Sequence, residues 1–283
     1  MTITFHATQG THPQPSSLHP FTFPGGERHL KGTPAEGEHQ RFAVIRGADA
    51  NDYVTAALWA QKLRSLGEPV TIFVPYLPAA RSDHDVPSGA QAYAALINAI
   101  GADHVVVFDP HSPVMPALIH NVVVVGSAEL VRSAVAGAEV PYTGVIAPDK
   151  GAHARADAAA AALGLPVYTA GKTRNQETGA LDGFYCDPLP EGGRYLVVDD
   201  ICDGGGTFRG LASVLGLPPE QLGLYVSHGV FSGKAAGLSE SFGEIITTDS
   251  HPGSDNPAIK ARVIGLMPHL IGFVPSTPTS IGR

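Results

Sequence analysis

Short apolar segments recur along this chain, and alanine-rich stretches with helical features separate them. Runs such as VVVF before Asp109 and YLVV before Asp199 are typical of strands that are covered on both faces of a parallel sheet. The stretch NDYVTAALWAQKLRSLG opens on residues that are able to cap a helix, and it ends at a glycine. This alternation predicts an α/β fold with mainly parallel sheets.

The length and composition of the chain allow more than one hydrophobic core. The chain has 283 residues, of which 43% are hydrophobic and 16% are charged. Because both halves show the strand–helix alternation, we predict two domains, residues 1–130 and 131–283. About the last 15 residues are expected to pack on the N-terminal domain.

Charge and cysteine content argue against several classes of protein. The formal net charge of −8 argues against a nucleic-acid partner, because nonspecific binding depends on neutralising phosphates. The two cysteines, Cys186 and Cys202, are too few for a disulfide framework and lack metal-ligand spacing. The N-terminus lacks the features of a signal peptide, and no segment approaches the roughly 18 apolar residues of a membrane helix. We therefore expect a cytoplasmic protein with no membrane partner.

Charged or titratable residues follow five of the predicted strands, at the point where each strand ends. Parallel strands have their carboxyl ends at one edge of the sheet, which is where α/β proteins bind ligands. We interpret these residues together as one face built for an anionic, metal-bearing ligand, and we leave His228 out of the site as a structural residue. The residues at the strand ends are Arg81, Asp83, His84, His111, Asp149, Asp199, Asp200 and His228.

The segment VVDDICDGGGT places three carboxylates beside three glycines at the end of a strand. Residues Gly204–Gly206 can present successive N–H groups to a phosphate, and Thr207 adds a hydroxyl at the start of a helix whose dipole favours an anion. Asp199 and Asp200 can accept hydrogen bonds from ribose hydroxyls or hold a cation. The combination indicates a phosphorylated sugar as ligand; the competing interpretation is a solvated glycine turn after an edge strand.

This segment resembles the ribose-5-phosphate/PRPP loop that phosphoribosyltransferases share with ribose-phosphate pyrophosphokinases (PRPP synthetases). Further segments, in family order over roughly residues 20–265, resemble the pyrophosphokinases in particular. They are FPGGERHLK, VTIFVPYLPAARSDH, GADHVVVFDPH, GVIAPDKGAHARA, TAGKTRNQ and YVSHGVFSGKA. The resemblance implies two tandem phosphoribosyltransferase-like (Rossmann-like) domains with the active site between them.

The resemblance also implies a reaction. It is the Mg²⁺-dependent transfer of the ATP β,γ-diphosphoryl group to the anomeric hydroxyl of ribose 5-phosphate, which gives PRPP and AMP for nucleotide biosynthesis. ATP and ribose 5-phosphate would be the substrates, Mg²⁺ the cofactor, and a homodimer or larger homo-oligomer the assembly.

Individual residues take their roles from the same resemblance. Lys172 and Arg174 would close over the triphosphate and stabilise the transferred group. The ATP-binding residues would be Phe23, Glu27, Arg81, Asp83 and His84. The ribose-phosphate-binding residues would be Asp199, Asp200, Asp203, Gly204, Gly205, Gly206 and Thr207, and the metal ligands would be His111 and Asp149.

The chain departs from the family pattern at several points, so that its sequence is compatible with more than one function. The basic loop after Arg81 is short, Gly25 stands where the family has Asp, and Gly204 stands where it has Thr. Losing the hydroxyl at position 204 is compatible with a bulkier acceptor such as ADP-ribose, which would connect the chain to NAD metabolism. The sequence is also compatible with a phosphoribosyltransferase and with a non-catalytic PRPP-synthetase-associated regulator.

Overall fold

The computed structural model describes residues 2–9, 12–83, 86–174 and 181–273. The chain divides into two compact units. The first unit contains the chain up to Val125 together with the segment from Met267 onward, and the second is Gly126–Leu266. Each unit has its own sheet, and the α/β class with mainly parallel strands that the apolar segments predict is confirmed in both.

The first unit is built on a six-stranded sheet. The strands of the whole unit are β1 (Ile3–Gln9), β2 (His12–Pro15), β3 (His19–Thr22), β4 (Arg28–Lys31), β5 (His39–Ile45), β6 (Thr71–Phe73), β7 (His104–Phe108) and β8 (Val122–Val125), and its helices are α1 (Ala50–Ser65), α2 (Gly89–Ile100) and α3 (Val114–Ala117). The order in the sheet is β2-β1-β5-β6-β7-β8. Strands β5 to β8 are parallel, β1 is antiparallel to both of its neighbours, and β3 and β4 form a separate hairpin.

The second unit contains a seven-stranded sheet. Its elements in chain order are α4 (Ala128–Val135), β9 (Gly144–Ala147), α5 (His153–Leu163), β10 (Val167–Arg174), β11 (Leu181–Cys186), β12 (Tyr195–Cys202), α6 (Gly206–Leu215), β13 (Leu222–Gly229), β14 (Glu244–Thr248) and β15 (Ala261–Ile264). The order in the sheet is β11-β10-β9-β12-β13-β14-β15. All neighbours are parallel except β11, which is antiparallel to β10 at the edge. A short helix, α7 (Met267–Leu270), follows this unit.

The start of helix α1 differs from the prediction by a small but instructive amount. The cap is Asp49, whose Oδ1 accepts a hydrogen bond from the backbone N–H of Asn51 at 2.9 Å. Asp52 is fully buried instead, and its Oδ2 accepts hydrogen bonds from the backbone N–H and the hydroxyl of Thr2, both at 2.7 Å. The carboxylate that the sequence offered as a cap therefore holds the N-terminal strand to the helix.

Each sheet carries a core of its own, and the apolar segments supply it. In the first unit the largest buried side chains include Trp59 and Tyr53 on α1. In the second unit Val197 of β12 and Leu224 of β13 pack beneath Phe208 of α6. Among the residues that the structure describes, no helix is both long and apolar enough to cross a membrane.

Candidate functional site

The carboxyl edge of the second sheet brings several of the predicted site residues together. Asp149 lies two residues after the end of β9, Lys172 lies in β10, and Asp199 lies in β12. These three strands are parallel neighbours, so that their carboxyl ends meet at one edge of the sheet. The Nζ atom of Lys172 is 3.2 Å from Oδ2 of Asp149.

Asp149 is held in place by its own loop. Its Oδ1 accepts hydrogen bonds from the backbone N–H groups of Gly151 at 3.0 Å and Ala152 at 3.3 Å. Its second carboxylate oxygen is therefore the one that faces Lys172. Arg174, the second predicted catalytic residue, is the last residue of β10, and its side chain lies outside the described part of the chain.

The acidic pair at the end of β12 is buried and electrostatically strained. Asp199 Oδ1 accepts a hydrogen bond from the backbone N–H of Asp200, and Asp200 Oδ1 accepts one from Ile201, both at 2.8 Å. Burial raises the pKa of the Asp199 carboxyl well above its usual range, and the negative charges of Asp200 and Asp149 raise it further. Such a cluster favours a bound cation or a donor of hydrogen bonds.

Arg155 supplies part of that compensation, and the sequence patterns gave it no role. Its Nη1 is 3.7 Å from Oδ1 of Asp199, and its Nη2 is 3.6 Å from Oδ2 of Asp200. The side chain is only 11% exposed. The signal for it was its place in the first turn of α5, which begins four residues after Asp149 and so lies over the carboxyl edge of the sheet.

The three glycines of the loop differ in whether their positions require glycine. Gly205 has φ of +72° and precedes α6, and a Cβ there would come within 3.0 Å of Leu238, so that position requires glycine. A Cβ at Gly204 or Gly206 would meet nothing within 4 Å. No described side chain caps α6, whose first turn contains Thr207. The N–H groups of this turn suit an anion.

Asp203 is fixed by a second loop, which follows β13. The Ser232 hydroxyl donates a short hydrogen bond to Asp203 Oδ1, and the Ser232 backbone N–H donates to the Asp203 carbonyl at 3.2 Å. The backbone N–H groups of Val230 and Phe231 both donate to the carbonyl of Cys202 at 3.0 Å. Ser232 lies in the segment YVSHGVFSGKA, but no pattern in the sequence pairs it with Asp203.

His228 lies beneath this edge rather than on it. The residue is 2% exposed, and its Nδ1 is 2.8 Å from the hydroxyl oxygen of Ser250. The Ser250 hydroxyl donates in turn to the carbonyl of Ser227 at 3.0 Å. These contacts agree with the interpretation of His228 as a structural residue.

In the first unit the structure brings two of the predicted ATP-side segments together. Arg81 lies in a short 3-10 helix (Ala80–Ser82) and Asp83 follows it. The Asp83 carboxylate accepts a 2.5 Å hydrogen bond from the hydroxyl of Ser112, which is the neighbour of His111. The segments after β6 and β7 therefore meet at the carboxyl edge of this sheet. His84 lies outside the described residues.

Phe23 and Glu27 lie on a different element, the turn between β3 and β4. The backbone N–H of Phe23 donates to the carbonyl of Glu27 at 2.9 Å. Phe23 is 47% exposed and stacks on His29 with ring centroids 5.6 Å apart, while Phe21 meets Phe23 edge-on at 4.8 Å. The turn therefore presents an aromatic surface to solvent.

The carboxylate oxygens at the carboxyl edge of the second sheet suit a hard cation. No group of three or more His, Cys, Asp or Glu side chains among the described residues forms a ready-made metal site. The carboxylates of Asp149, Asp199 and Asp200 nevertheless repel one another, since they raise the pKa of Asp199 together with burial. Mg²⁺ is usually held by one or two carboxylates, waters and substrate phosphates, so that this donor set fits an ion that arrives with a phosphate ligand.

Comparisons with known proteins agree with this geometry. No family model matches the chain. The chain is 29% identical over 235 residues to the ribose-phosphate pyrophosphokinase of Bradyrhizobium diazoefficiens, which covers 73% of the chain and 71% of the relative. It is 28% identical over 239 residues to the ribose-phosphate pyrophosphokinase of Thermococcus kodakarensis, and this match covers 81% of the chain and 84% of the relative.

A solved structure is similar over almost the whole chain. The crystal structure of phosphoribosylpyrophosphate synthetase from Mycobacterium smegmatis matches with a TM-score of 0.72 and 21% identity, and it covers 92% of this chain and 90% of that one. At this identity the similarity shows the fold, and it confirms the prediction of two tandem phosphoribosyltransferase-like domains. The collinear segments of the sequence, the sequence relatives and the shared fold agree in their similarity to the ribose-phosphate pyrophosphokinases.

Proposed function

We propose that this protein is an enzyme that transfers the β,γ-diphosphoryl group of ATP to the anomeric hydroxyl of ribose 5-phosphate, giving PRPP and AMP. The observation that carries the proposal is one loop that combines carboxylates with the N-terminus of a helix. Buried carboxylates lie near the end of β12, and helix α6 begins after three intervening residues, without a described side-chain cap. Carboxylates suit sugar hydroxyls and helix N-termini suit phosphate. The names of the relatives support the same activity.

On the sugar side, the N–H groups of Gly204–Gly206 and the hydroxyl of Thr207 are proposed to hold the 5-phosphate. Asp199, Asp200 and Asp203 are proposed to accept hydrogen bonds from the ribose hydroxyls. Two of these carboxylates already face Arg155. Their negative charge is therefore partly offset before a sugar binds.

On the nucleotide side, Lys172 and Arg174 are proposed to neutralise the charge that develops on the transferred group. Lys172 contacts Asp149, so that the arriving phosphates would compete with that carboxylate for the ammonium group. Arg81, Asp83 and His84 are proposed to contact ATP, and Phe23 and Glu27 to hold its adenine. The exposed aromatic ring of Phe23 suits a planar base.

Mg²⁺ is the proposed cofactor. Asp149 and His111 are each proposed as a metal ligand, with substrate phosphates completing the coordination. When bound, Mg²⁺ supplies positive charge that offsets the phosphate oxygens and aligns the diphosphoryl group. A homodimer or larger homo-oligomer is proposed for the assembly, and sedimentation analysis of the purified protein measures it.

The names of the relatives specify ribose phosphate, and no observation favours a different acceptor or a different class of protein. The ADP-ribose acceptor, the phosphoribosyltransferase and the non-catalytic regulator are therefore not favoured. ADP-ribose is kept as an arm of the experiment.

The test measures AMP release from Mg·ATP by the purified protein, with and without ribose 5-phosphate. We expect AMP to appear only when the sugar phosphate is present, together with a product that carries a diphosphate at C1 by ³¹P NMR. A parallel reaction with ADP-ribose should give no AMP above the sugar-free background. Absence of AMP with ribose 5-phosphate would overturn the proposal.

A further inference from the structure

The β10–β11 hairpin places Phe184 directly opposite Lys172. The two residues are register partners in the antiparallel pair, so that their side chains point to the same face of the hairpin. Ala170, two residues before Lys172, points to that face as well and is buried in the core that includes Phe208 and Leu211 of α6. The face of the hairpin that carries Lys172 is therefore the face that α6 covers.

Phe184 occupies a notch in α6 that exists because residue 210 is glycine. A Cβ on Gly210 would lie 2.2 Å from Cε2 and 2.4 Å from Cζ of the Phe184 ring. Gly210 does not have a positive φ, so that its backbone conformation alone does not call for glycine. The close approach of the ring is the reason that a side chain at this position is excluded.

The side of α6 that carries Gly210 also carries Gly206, the last glycine of the loop Gly204–Gly206. Gly206 and Gly210 are four residues apart, which places them one turn apart on one side of α6. Gly206 is exposed at the start of the helix, and a Cβ there would meet nothing within 4 Å. The Phe184–Gly210 contact therefore connects the strand that pairs with Lys172 to the helix that begins at the proposed phosphate-binding turn.

We infer that Phe184 and Gly210 are positioning residues, which fix the hairpin against α6 so that the Lys172 ammonium group is held at the sheet edge beside Asp149. The inference rests on the proposed function for its catalytic consequence. The contact itself does not depend on that function. A displacement of about 1 Å in a group that stabilises a transition state costs up to about 100-fold in rate.

The decisive variant is Gly210→Ala. We expect kcat to fall about tenfold or more while the KM for ribose 5-phosphate stays within about twofold, because the phosphate-binding turn keeps its backbone and Lys172 shifts. Alanine is a better helix former than glycine, so that a weakened helix would not account for the loss. Gly237→Ala is the matched control, because a Cβ there meets only ordinary contacts, at 3.5 Å to Arg209.

A compensating change separates steric positioning from a general structural role. Leucine at position 184 lacks the two ring atoms that lie closest to the new Cβ. The double variant Gly210→Ala/Phe184→Leu should therefore recover at least about threefold in kcat over Gly210→Ala alone. A double variant as slow as or slower than Gly210→Ala would overturn the inference.

A second readout does not use turnover at all. The rate at which sulfo-NHS-acetate acylates Lys172, measured by mass spectrometry without substrates, reports how firmly Asp149 holds the ammonium group. We expect at least a threefold faster rate at Lys172 in Gly210→Ala and no change in Gly237→Ala. A folded Gly210→Ala protein with wild-type labelling would overturn the inference. If the wild type releases no AMP with ribose 5-phosphate, the proposed function fails, and this labelling comparison alone decides the positioning.

Discussion

The carboxyl edges of the two sheets differ in how far their polar side chains are buried. In the second unit Asp200 is 4% exposed, and Arg155, which faces it, is 11% exposed. In the first unit the side chains of Arg81 and His111 are exposed to solvent. The acidic pair of the second edge and its arginine are thus buried, whereas Arg81 and His111 of the first edge are exposed. In terms of the proposed function, the buried carboxylates proposed to bind the sugar are preorganised, whereas Arg81 is proposed to meet phosphates that bring Mg²⁺ with them.

The largest effect is expected from Lys172→Ala. We expect kcat to fall about 10³-fold, because a preorganised cation that meets the transferred group is removed. Lys150→Ala is the matched control, since Lys150 is an exposed lysine next to Asp149 and should change kcat less than twofold. Steady-state AMP release measures both. A Lys172→Ala enzyme that kept a tenth of the activity would contradict the proposal that Lys172 is the main cation that stabilises the transferred group.

Asp199→Asn should separate activity from stability. We expect about a 100-fold loss of turnover, because an acceptor for the sugar is lost. Because burial raises the pKa of Asp199, the folded protein binds its proton more tightly than the unfolded chain, and the ionised carboxylate costs stability as the pH rises. The asparagine variant should therefore melt roughly 2–4 °C higher than wild type at pH 8.

The pH dependence of that melting temperature is the sharper part of the test. Below the raised pKa the wild-type carboxyl is protonated and neutral, so that the difference in melting temperature between the two proteins should shrink as the pH falls. Asp157→Asn is the control, because the Asp157 side chain is 47% exposed. A difference that grew on acidification would show that the Asp199 charge stabilises the fold, contrary to the strain described.

Arg81→Ala tests the exposed edge. We expect the KM for ATP to rise about tenfold, because one charge-assisted contact with phosphate is lost, while the KM for ribose 5-phosphate is unchanged. The free energy of unfolding should change by no more than about 0.5 kcal/mol, since the side chain is exposed. Urea unfolding and two-substrate kinetics measure these quantities. A large loss of stability would break the contrast between the two edges.

Ser232→Ala should have the smallest effect. The hydroxyl orients the Asp203 carboxylate, and the backbone contact between the same two residues stays in place. We expect the KM for ribose 5-phosphate to rise about threefold with little change in kcat. Ser213→Ala, at an exposed position of α6, is the control. Equal kinetics for the two variants would mean that Asp203 needs no orientation by Ser232.

Much of the fold was predictable because local patterns and tertiary packing agree. The apolar runs before Asp109 and Asp199 became buried parallel strands. The strand β1 was absent from the predictions, although Ile3, Phe5 and Ala7 alternate as the buried positions of a half-covered strand. Strand β11 was missed as well, since its antiparallel pairing at the edge of the sheet depends on β10.

The site was predictable where one segment carries its own chemistry and not where the fold brings distant segments together. The carboxylates and glycines of VVDDICDGGGT lie within one short segment, so these residues could be interpreted together. Arg155 reaches Asp199 only because α5 crosses back over the sheet edge, and Ser232 reaches Asp203 only because β13 is the neighbour of β12. Such pairs depend on strand order, which a single sequence does not specify.

The three glycines of the loop look interchangeable in the sequence, but only Gly204 combines three properties. It is partly buried, it has room for a Cβ, and its φ is not positive. A Gly204→Cys protein would carry a thiol beside the proposed phosphate site. Burial raises the pKa of Cys186 to about 11 and that of Cys202 to about 12, so that both native thiols stay protonated and unreactive near neutral pH. A fluorophore attached selectively at position 204 would turn the loop into an optical sensor of sugar-phosphate arrival.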